Sequence, residues 1–294
     1  MTVRPERHPM CRLLGYASAH PCTTESILGG TQSAVFQDMA VLHKDGWGNV
    51  RLDDSTQPAT LKAVRSPESG IHDEQLTDVL TGQASRAQIT HLRMATDGMA
   101  CEPQNTHPFV ANGLAFAHNG GLAPLELLEQ RIAPEVAAQL MGDTDSERYF
   151  AVIRTAVARN AAASGLGLVD AVQAAVHELR PLFPHASMNA LLLSPTHLIA
   201  IHANQGAKIP NEDFDASGLS EAELPMDHRT AYYLMRQKRL DDGTIVFASS
   251  GLDIIGWEPL APETIVSVDL HTLESETRAI ADEPRTADAA RSVA

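Results

Sequence analysis

A change of hydrophobic period halfway along the chain limits its fold more than any other feature. From Ser146 to Ala162, Tyr149, Phe150, Val152, Ile153, Ala156 and Val157 form an apolar stripe at i, i+3, i+4 spacing. That spacing predicts a long amphipathic helix. Leu168 to Leu179 repeats the pattern with Val169, Val172, Ala175, Val176 and Leu179, so a second helix should follow the first. β-like runs lie on both sides of the pair. Arg12 to Ala19, Trp47 to Leu52, Thr60 to Arg65, Ala87 to Met94 and Leu114 to His118 precede it. Asn189 to Leu193, His197 to His202, Tyr232 to Met235, Ile245 to Ala248 and Ile265 to Val268 come after. Strands, two helices and strands again in one chain predict α+β architecture, with antiparallel sheet and helices layered against it.

The remaining segments read more weakly. Thr24 to Met39 carries helix signals broken at Gly29-Gly30, Ile71 to Leu80 suits a short helix, and Leu122 to Arg131 fits another. The turn from Asp53 to Pro58 joins two strand-like runs into an expected hairpin. Residues 95–109 read as loop, and the acidic stretch Asn211 to Asp227 as a surface loop. The polar residues before Met10 look disordered or removable, and residues 279–294 look like a disordered tail. One domain is therefore expected over residues 11–278, with residues 1–10 as a removable extension.

Composition narrows the function classes. The net charge of −15 over 294 residues argues against a nucleic-acid partner or an anionic membrane surface, since both need a basic face. No apolar run approaches the length of a membrane span. Arg4, Glu6, Arg7 and His8 interrupt what would be a signal-peptide core, so a cytoplasmic location is expected. Three cysteines, Cys11, Cys22 and Cys101, suit neither a disulfide framework nor a CxxC zinc site. Cys22 and Cys101 read as ordinary small apolar or loop residues. Thirteen histidines, among them His43, His91, His107 and His118, leave a metal hydrolase conceivable, but neither HExxH nor HxH spacing occurs. No glycine-rich phosphate loop is present. The expectation is an enzyme without metal or cofactor.

Four clusters join unusual residue types to strand ends and turns, where sites are usually built. They are Cys11, the run His91-Leu92-Arg93-Met94-Ala95-Thr96, the turn His118-Asn119-Gly120, and Gly142-Asp143-Thr144-Asp145-Ser146-Glu147. A weaker fifth runs from His43 to Gly48. Were Cys11 N-terminal, one residue would hold both a thiol and an α-amine of pKa about 7.7–8.0, a base able to take the thiol proton. Asn119 and the backbone N–H of Gly120 are donors of the kind that form an oxyanion hole. Arg93 could fork onto a carboxylate, and Asp145 could accept an ammonium while also serving the helix start. Taken singly, the cysteine, the Asn-Gly pair and the arginine are more simply read as a buried structural cysteine, an ordinary turn and a solvated arginine, and Asp145 also reads as a helix cap. Together they form a receptor for an α-amino acid attacked at its side-chain amide, and glutamine fits that description.

The ordered set Met10-Cys11-Arg12-Leu13-Leu14-Gly15-Tyr16, Asp45-Gly46-Trp47-Gly48, His91 to Thr96, Asn105-Thr106-His107-Pro108-Phe109, Phe116 to Gly120 and Gly142 to Glu147 resembles the class II glutamine amidotransferases. These are N-terminal-nucleophile hydrolases with a four-layer αββα fold. The resemblance spans about residues 10–275 and is nearest to the small stand-alone branch that includes the ergothioneine-pathway γ-glutamyl hydrolase. It implies Cys11 as nucleophile with its freed α-amine as base, and Asn119 and Gly120 as the oxyanion hole. It further implies Arg93 and Thr96 at the substrate carboxylate and Asp145 at the ammonium, with structural roles for His107 and His118. The tryptophan common after the motif arginine is Met94 here. The resemblance also implies a glutamine or γ-glutamyl substrate, and either a separate ammonia-accepting synthase or simple hydrolysis. If residues before Cys11 stay attached, the base is lost and a catalytically inactive binding protein is the competing expectation. Translation starting at Met10, or cleavage of a propeptide, would expose the cysteine.

Overall fold

The computed structural model describes residues 11–95, 101–163 and 167–282. The strands are β1 (Arg12–Cys22), β2 (Trp47–Asp53), β3 (Thr60–Ser66), β4 (Ser85–Leu92), β5 (Phe109–Ala111), β6 (Leu114–Asn119) and β7 (Asn189–Leu193). They continue with β8 (His197–His202), β9 (Arg236–Arg239), β10 (Ile245–Ala248), β11 (Glu258–Pro259), β12 (Thr264–Asp269) and β13 (Ser275–Ala279). One antiparallel sheet has the order β11-β9-β10-β1-β4-β2-β3 and the other β13-β12-β8-β7-β6-β5.

Strand β1 shows how the layers arise. Its side chains alternate between two faces, and both faces are covered. Leu13 and Ala17 point inward and pack with Ala117, Leu191, Leu193 and Phe247 between the sheets. Leu14 and Tyr16 point the other way, onto Phe36, Leu76 and Val79, which lie in or beside the helices Gly30–Asp38 and Glu74–Thr81. The second sheet turns Phe116, Leu192 and Ile199 outward against Tyr149, Phe150, Ile153, Val172 and Val176, from the helices Asp145–Ala163 and Leu168–Leu179. The result is helix, sheet, sheet, helix. Each fully buried aliphatic side chain contributes about 1.5–3 kcal/mol, so the three apolar layers together hold the sandwich.

The sequence expectation of α+β architecture with four αββα layers is therefore met. Several local expectations change. Leu122 to Arg131 forms only a single helical turn, Glu126–Glu129, because the backbone N–H of Leu122 is held by Asp145 Oδ2 and Pro124 follows. Tyr232 to Met235 is no strand. A short helix, His228–Ala231, precedes it, and β9 begins only at Arg236. The acidic stretch is partly interior, since Asn211–Ala216 is helical with Asp213 and Phe214 buried. The ordered sheet runs on to Ala279, and Ile280 is buried. Residues 1–10 and 283–294, expected to be extension and tail, lie outside the described residues.

Candidate active site

Topology brings the four sequence clusters to one end of the sandwich. Arg12 of β1 pairs with Leu92 of β4, so Cys11, just before β1, lies beside Arg93, just after β4. Trp47 of β2 also pairs with Leu92, which places Asp45-Gly46 alongside. The nucleophile candidate belongs to one sheet and Asn119, the last residue of β6, to the other. A hydrogen bond from the Cys11 backbone N–H to Asn119 Oδ1, 3.0 Å, joins them.

That bond fixes the Asn119 amide. With Oδ1 turned to Cys11, Nδ2 is a buried donor that has no hydrogen-bond partner among the described residues. A buried N–H left unmet by protein groups is open to a water or a ligand atom. Serine 187 holds the same residue from below, its Oγ donating to the Asn119 carbonyl at 2.7 Å. Gly120 is required by close approach. A Cβ there would lie 1.8 Å from the Ser187 carbonyl oxygen and 2.7 Å from its carbon. Gly120→Ala is accordingly expected to displace the strand end and lower stability by about 1–3 kcal/mol, read from the urea midpoint. An unchanged midpoint would show that the backbone there yields freely.

Arg93 is buried and held by the Asp45-Gly46 turn. Its N–H donates to the Gly46 carbonyl (2.8 Å), its own carbonyl accepts from Asp45 N–H (2.9 Å), and Nη1 donates to the Asp45 carbonyl (3.2 Å). Asp45 Oδ2 accepts the Ala95 N–H at 2.8 Å. Nη1 also lies 3.6 Å from Cys101 Sγ, so Cys101, expected to be an ordinary loop residue, is a neighbour of the site. Nη2 is buried and has no hydrogen-bond partner among the described residues, a second donor suited to a carboxylate. Thr96, the other expected carboxylate contact, lies outside the described residues.

Asp145 proves not to be the cap. Thr144 Oγ1 accepts the Glu147 N–H at 3.1 Å, and Glu147 turns back to accept from Met141 and Gly142. This is a capping arrangement that leaves Asp145 in the first helical turn. Its Oδ2 accepts the Leu122 N–H at 2.7 Å. Beside it, His118 is fixed by Ser146 Oγ at Nδ1 (2.9 Å) and the Ser187 carbonyl at Nε2 (3.1 Å). A carbonyl only accepts, so Nε2 carries the proton and Nδ1 accepts from Ser146.

The Cys11 thiol is buried, and burial pushes its pKa up to about 11. The Met94 backbone N–H and the positive charges of Arg93 and Arg12 act in the opposite sense, while Asp145 adds to the rise. The thiol therefore lies within the fields of two cations and an anion, of which Arg93 and Asp145 complement an amino acid's two charged ends. A thiol held this high needs a base or a bound substrate before it attacks.

The histidines of the site are buried. His91 Nε2 reaches the His118 carbonyl (3.3 Å), and the His91 and His107 rings lie 4.2 Å apart. Burial lowers the pKa of His43, His107 and His118 and takes His91 to about 3. All four are neutral in the folded chain near neutral pH. Below the unfolded value of about 6.5 the unfolded chain binds protons that these rings refuse. Stability should then fall by about 1.4 kcal/mol per pH unit for each such ring. Denaturant midpoints measured from about pH 7 to about pH 5 should decline steeply; a flat profile would mean that the rings are not buried neutral. Among the described residues no group of three or more His, Cys, Asp or Glu side chains is arranged to hold a metal ion. No described helix is long and apolar enough to cross a membrane.

Comparison with known proteins agrees with the geometry. The family described as "Glutamine amidotransferases class-II" matches residues 10–282. The chain belongs to the class II glutamine amidotransferases. It is an enzyme of a family that acts on amide bonds. It is 24% identical over 222 residues to the gamma-glutamyl-hercynylcysteine sulfoxide hydrolase of Mycolicibacterium smegmatis, covering 70% of this chain and 88% of that protein. A probable glutamine amidotransferase of Saccharomyces cerevisiae is 23% identical over 162 residues, 49% of this chain and 44% of its own length. Among solved structures, a class-II domain protein from Silicibacter pomeroyi superposes with TM-score 0.59 at 17% identity, covering 92% of this chain and all of that one. The glutamine phosphoribosylpyrophosphate amidotransferase of B. subtilis gives 0.58 at 17%, covering 93% of this chain and half of that one. Those two likenesses establish the fold.

Sequence reasoning missed Ser187, which secures Asn119, and the group around Arg12 and Tyr232. Ser187 sits in an ordinary polar turn ahead of β7, and no spacing singles it out. Arg12 could have been noticed as a charged residue inside an apolar strand.

Proposed function

We propose that this protein hydrolyses the γ-amide of glutamine or of a γ-glutamyl compound, with Cys11 as nucleophile once the residues before it are removed. The observation that carries the reading is Asn119, whose Oδ1 accepts from the backbone nitrogen of Cys11 while its buried Nδ2 has no hydrogen-bond partner among the described residues. That nitrogen would become the α-amine. Fixed by Asn119, it takes the thiol proton, directly or through one water. Sγ then attacks the γ-carbonyl, and the oxyanion forms against Asn119 Nδ2 and the Gly120 N–H. Ammonia or an amine leaves with the proton, and a γ-glutamyl thioester remains. Water hydrolyses the thioester to glutamate and restores the thiol. Arg93 and Thr96 hold the substrate carboxylate, and Asp145 holds its ammonium.

The glutamyl half of the substrate accounts for all of these contacts, so the leaving group is set by other surfaces. The M. smegmatis relative is named for a γ-glutamyl substrate, which favours hydrolysis of such compounds here. Delivery of ammonia to a separate synthase is the alternative. Release of glutamate from a panel of γ-glutamyl amides and from glutamine, with ammonia measured alongside, separates the two. Turnover of γ-glutamyl amines well above that of glutamine supports the hydrolase; glutamate release from none of them overturns the proposal. We place the enzyme in the cytoplasm, acting without metal or cofactor.

A further inference from the structure

Arg12 is wholly buried, yet among the described residues no carboxylate pairs with it. Its guanidinium carbon lies 3.8 Å from the centre of the Tyr232 ring. Nη1 donates to the Ser250 carbonyl (3.0 Å), to Ser250 Oγ (2.7 Å) and to the Tyr232 carbonyl (3.4 Å). Nε and Nη2 have no hydrogen-bond partner among the described residues. Ser250 Oγ in turn donates to the Tyr232 carbonyl at 3.1 Å. The Tyr232 hydroxyl lies 3.4 Å from the Cys11 carbonyl and the same distance from His43 Nε2. His43 gives its Nδ1 proton to the Met39 carbonyl (2.8 Å), so Nε2 is an acceptor.

A buried cation without a counter-ion is costly, and proteins usually neutralise one or replace it with an apolar side chain. Here an aromatic face and carbonyl oxygens stabilise the charge without cancelling it. A carboxylate would have extinguished the positive potential next door, where a thiolate must form.

We propose that Arg12 is a positioning residue for the nucleophile: its uncancelled guanidinium, clamped between Tyr232 and Ser250, fixes the Cys11 main chain and supplies standing positive potential to the thiolate. This rests on Cys11 being the nucleophile. The other groups facing Cys11 are Arg93 beyond β4, Asp145 at its helix start, and Tyr232 and Tyr233 ahead of β9. His43 and His228 face Arg12 and are kept neutral by burial. Arg93 therefore shares the electrostatic task, while Arg12 alone among these charges is also joined to Cys11 in the chain and rests on the ring whose hydroxyl lies 3.4 Å from the Cys11 carbonyl.

The test uses the mature full-length enzyme with Arg12→Lys, Arg12→Met and Tyr232→Phe. The rate of iodoacetamide modification of Cys11, followed on its own peptide by mass spectrometry, is measured against pH. Because alkylation reports the thiol whether or not any substrate turns over, it stands apart from the choice of substrate. Arg12→Met should move the alkylation midpoint upward by about one pH unit, and Arg12→Lys should restore most of that shift. Tyr232→Phe keeps the ring under the guanidinium and removes the hydroxyl, so its midpoint should stay while kcat falls about tenfold at unchanged KM. Circular dichroism establishes that each variant is folded. If Arg12→Met does not fold, the lysine and phenylalanine variants decide. A midpoint unmoved in Arg12→Met, a lysine variant displaced as far as methionine would be, or an unaltered kcat in Tyr232→Phe overturns the proposal.

Discussion

Cys11→Ala should abolish release of glutamate, with a loss in kcat of about 10⁴-fold or more, while the protein remains folded. The size follows from the chemistry. Without sulfur no thioester forms, and the oxyanion donors alone give only the residual rate that they provide to water. The fold should tolerate the change, because alanine fits the buried position before β1 and removes only one atom. Labelling by a glutamine-like alkylator should vanish with activity. Cys11→Ser is the sharper variant, since it keeps a nucleophile of similar shape but poorer reactivity. It should retain substrate binding and lose turnover. Glutamate release by Cys11→Ala at a rate near that of the parent would remove the cysteine from the mechanism.

Asn119→Asp carries the second largest effect. The aspartate keeps an oxygen to accept from the Cys11 nitrogen, a bond of 3.0 Å in the parent. It replaces the free Nδ2 donor with an acceptor that also bears charge. Loss of one oxyanion donor costs about 10²–10³ in kcat, and a negative charge facing a developing oxyanion makes the upper figure the expected one. KM should move little, because the carboxylate and ammonium contacts lie elsewhere. Steady-state kinetics of the purified variant give both numbers. A fall in kcat/KM arising wholly from KM would show that Asn119 binds substrate in the ground state instead.

The division between what the sequence discloses and what it conceals follows the range of the forces involved. The stripe from Tyr149 to Val157 and the strand-like run from Arg12 are local patterns, and both elements appear where they were expected. The motif residues Cys11, Arg93, Asn119 and Asp145 sit at element ends that converge, because antiparallel pairing of β1 with β4 and packing of the two sheets bring those ends together. Tyr232 to Met235 has a strand's composition. Tyr232 and Tyr233 instead join a small apolar group with Leu42 and Phe214, to which Met94 packs, while Met235 enters the core between the sheets; no local period reports such long-range partners. For the same reason the acidic stretch from Asn211 looks solvated, although its own Phe214 is buried against Leu42 and Tyr232. Glu147 rather than Asp145 completes the helix start, a distinction that rests on which carboxylate reaches back to the preceding turn.

The free α-amine of Cys11 is the point on which the mechanism depends. Two preparations differing by one residue address it directly: a chain beginning at Cys11, and a chain that keeps Met10 through a blocked methionine removal. Glutamate release by each, at matched concentration and with the N-terminus verified by mass spectrometry, is the deciding measurement. The mechanism predicts full activity for the first and loss of about two orders of magnitude or more for the second, whose amide nitrogen is no base. Equal rates from the two would contradict it.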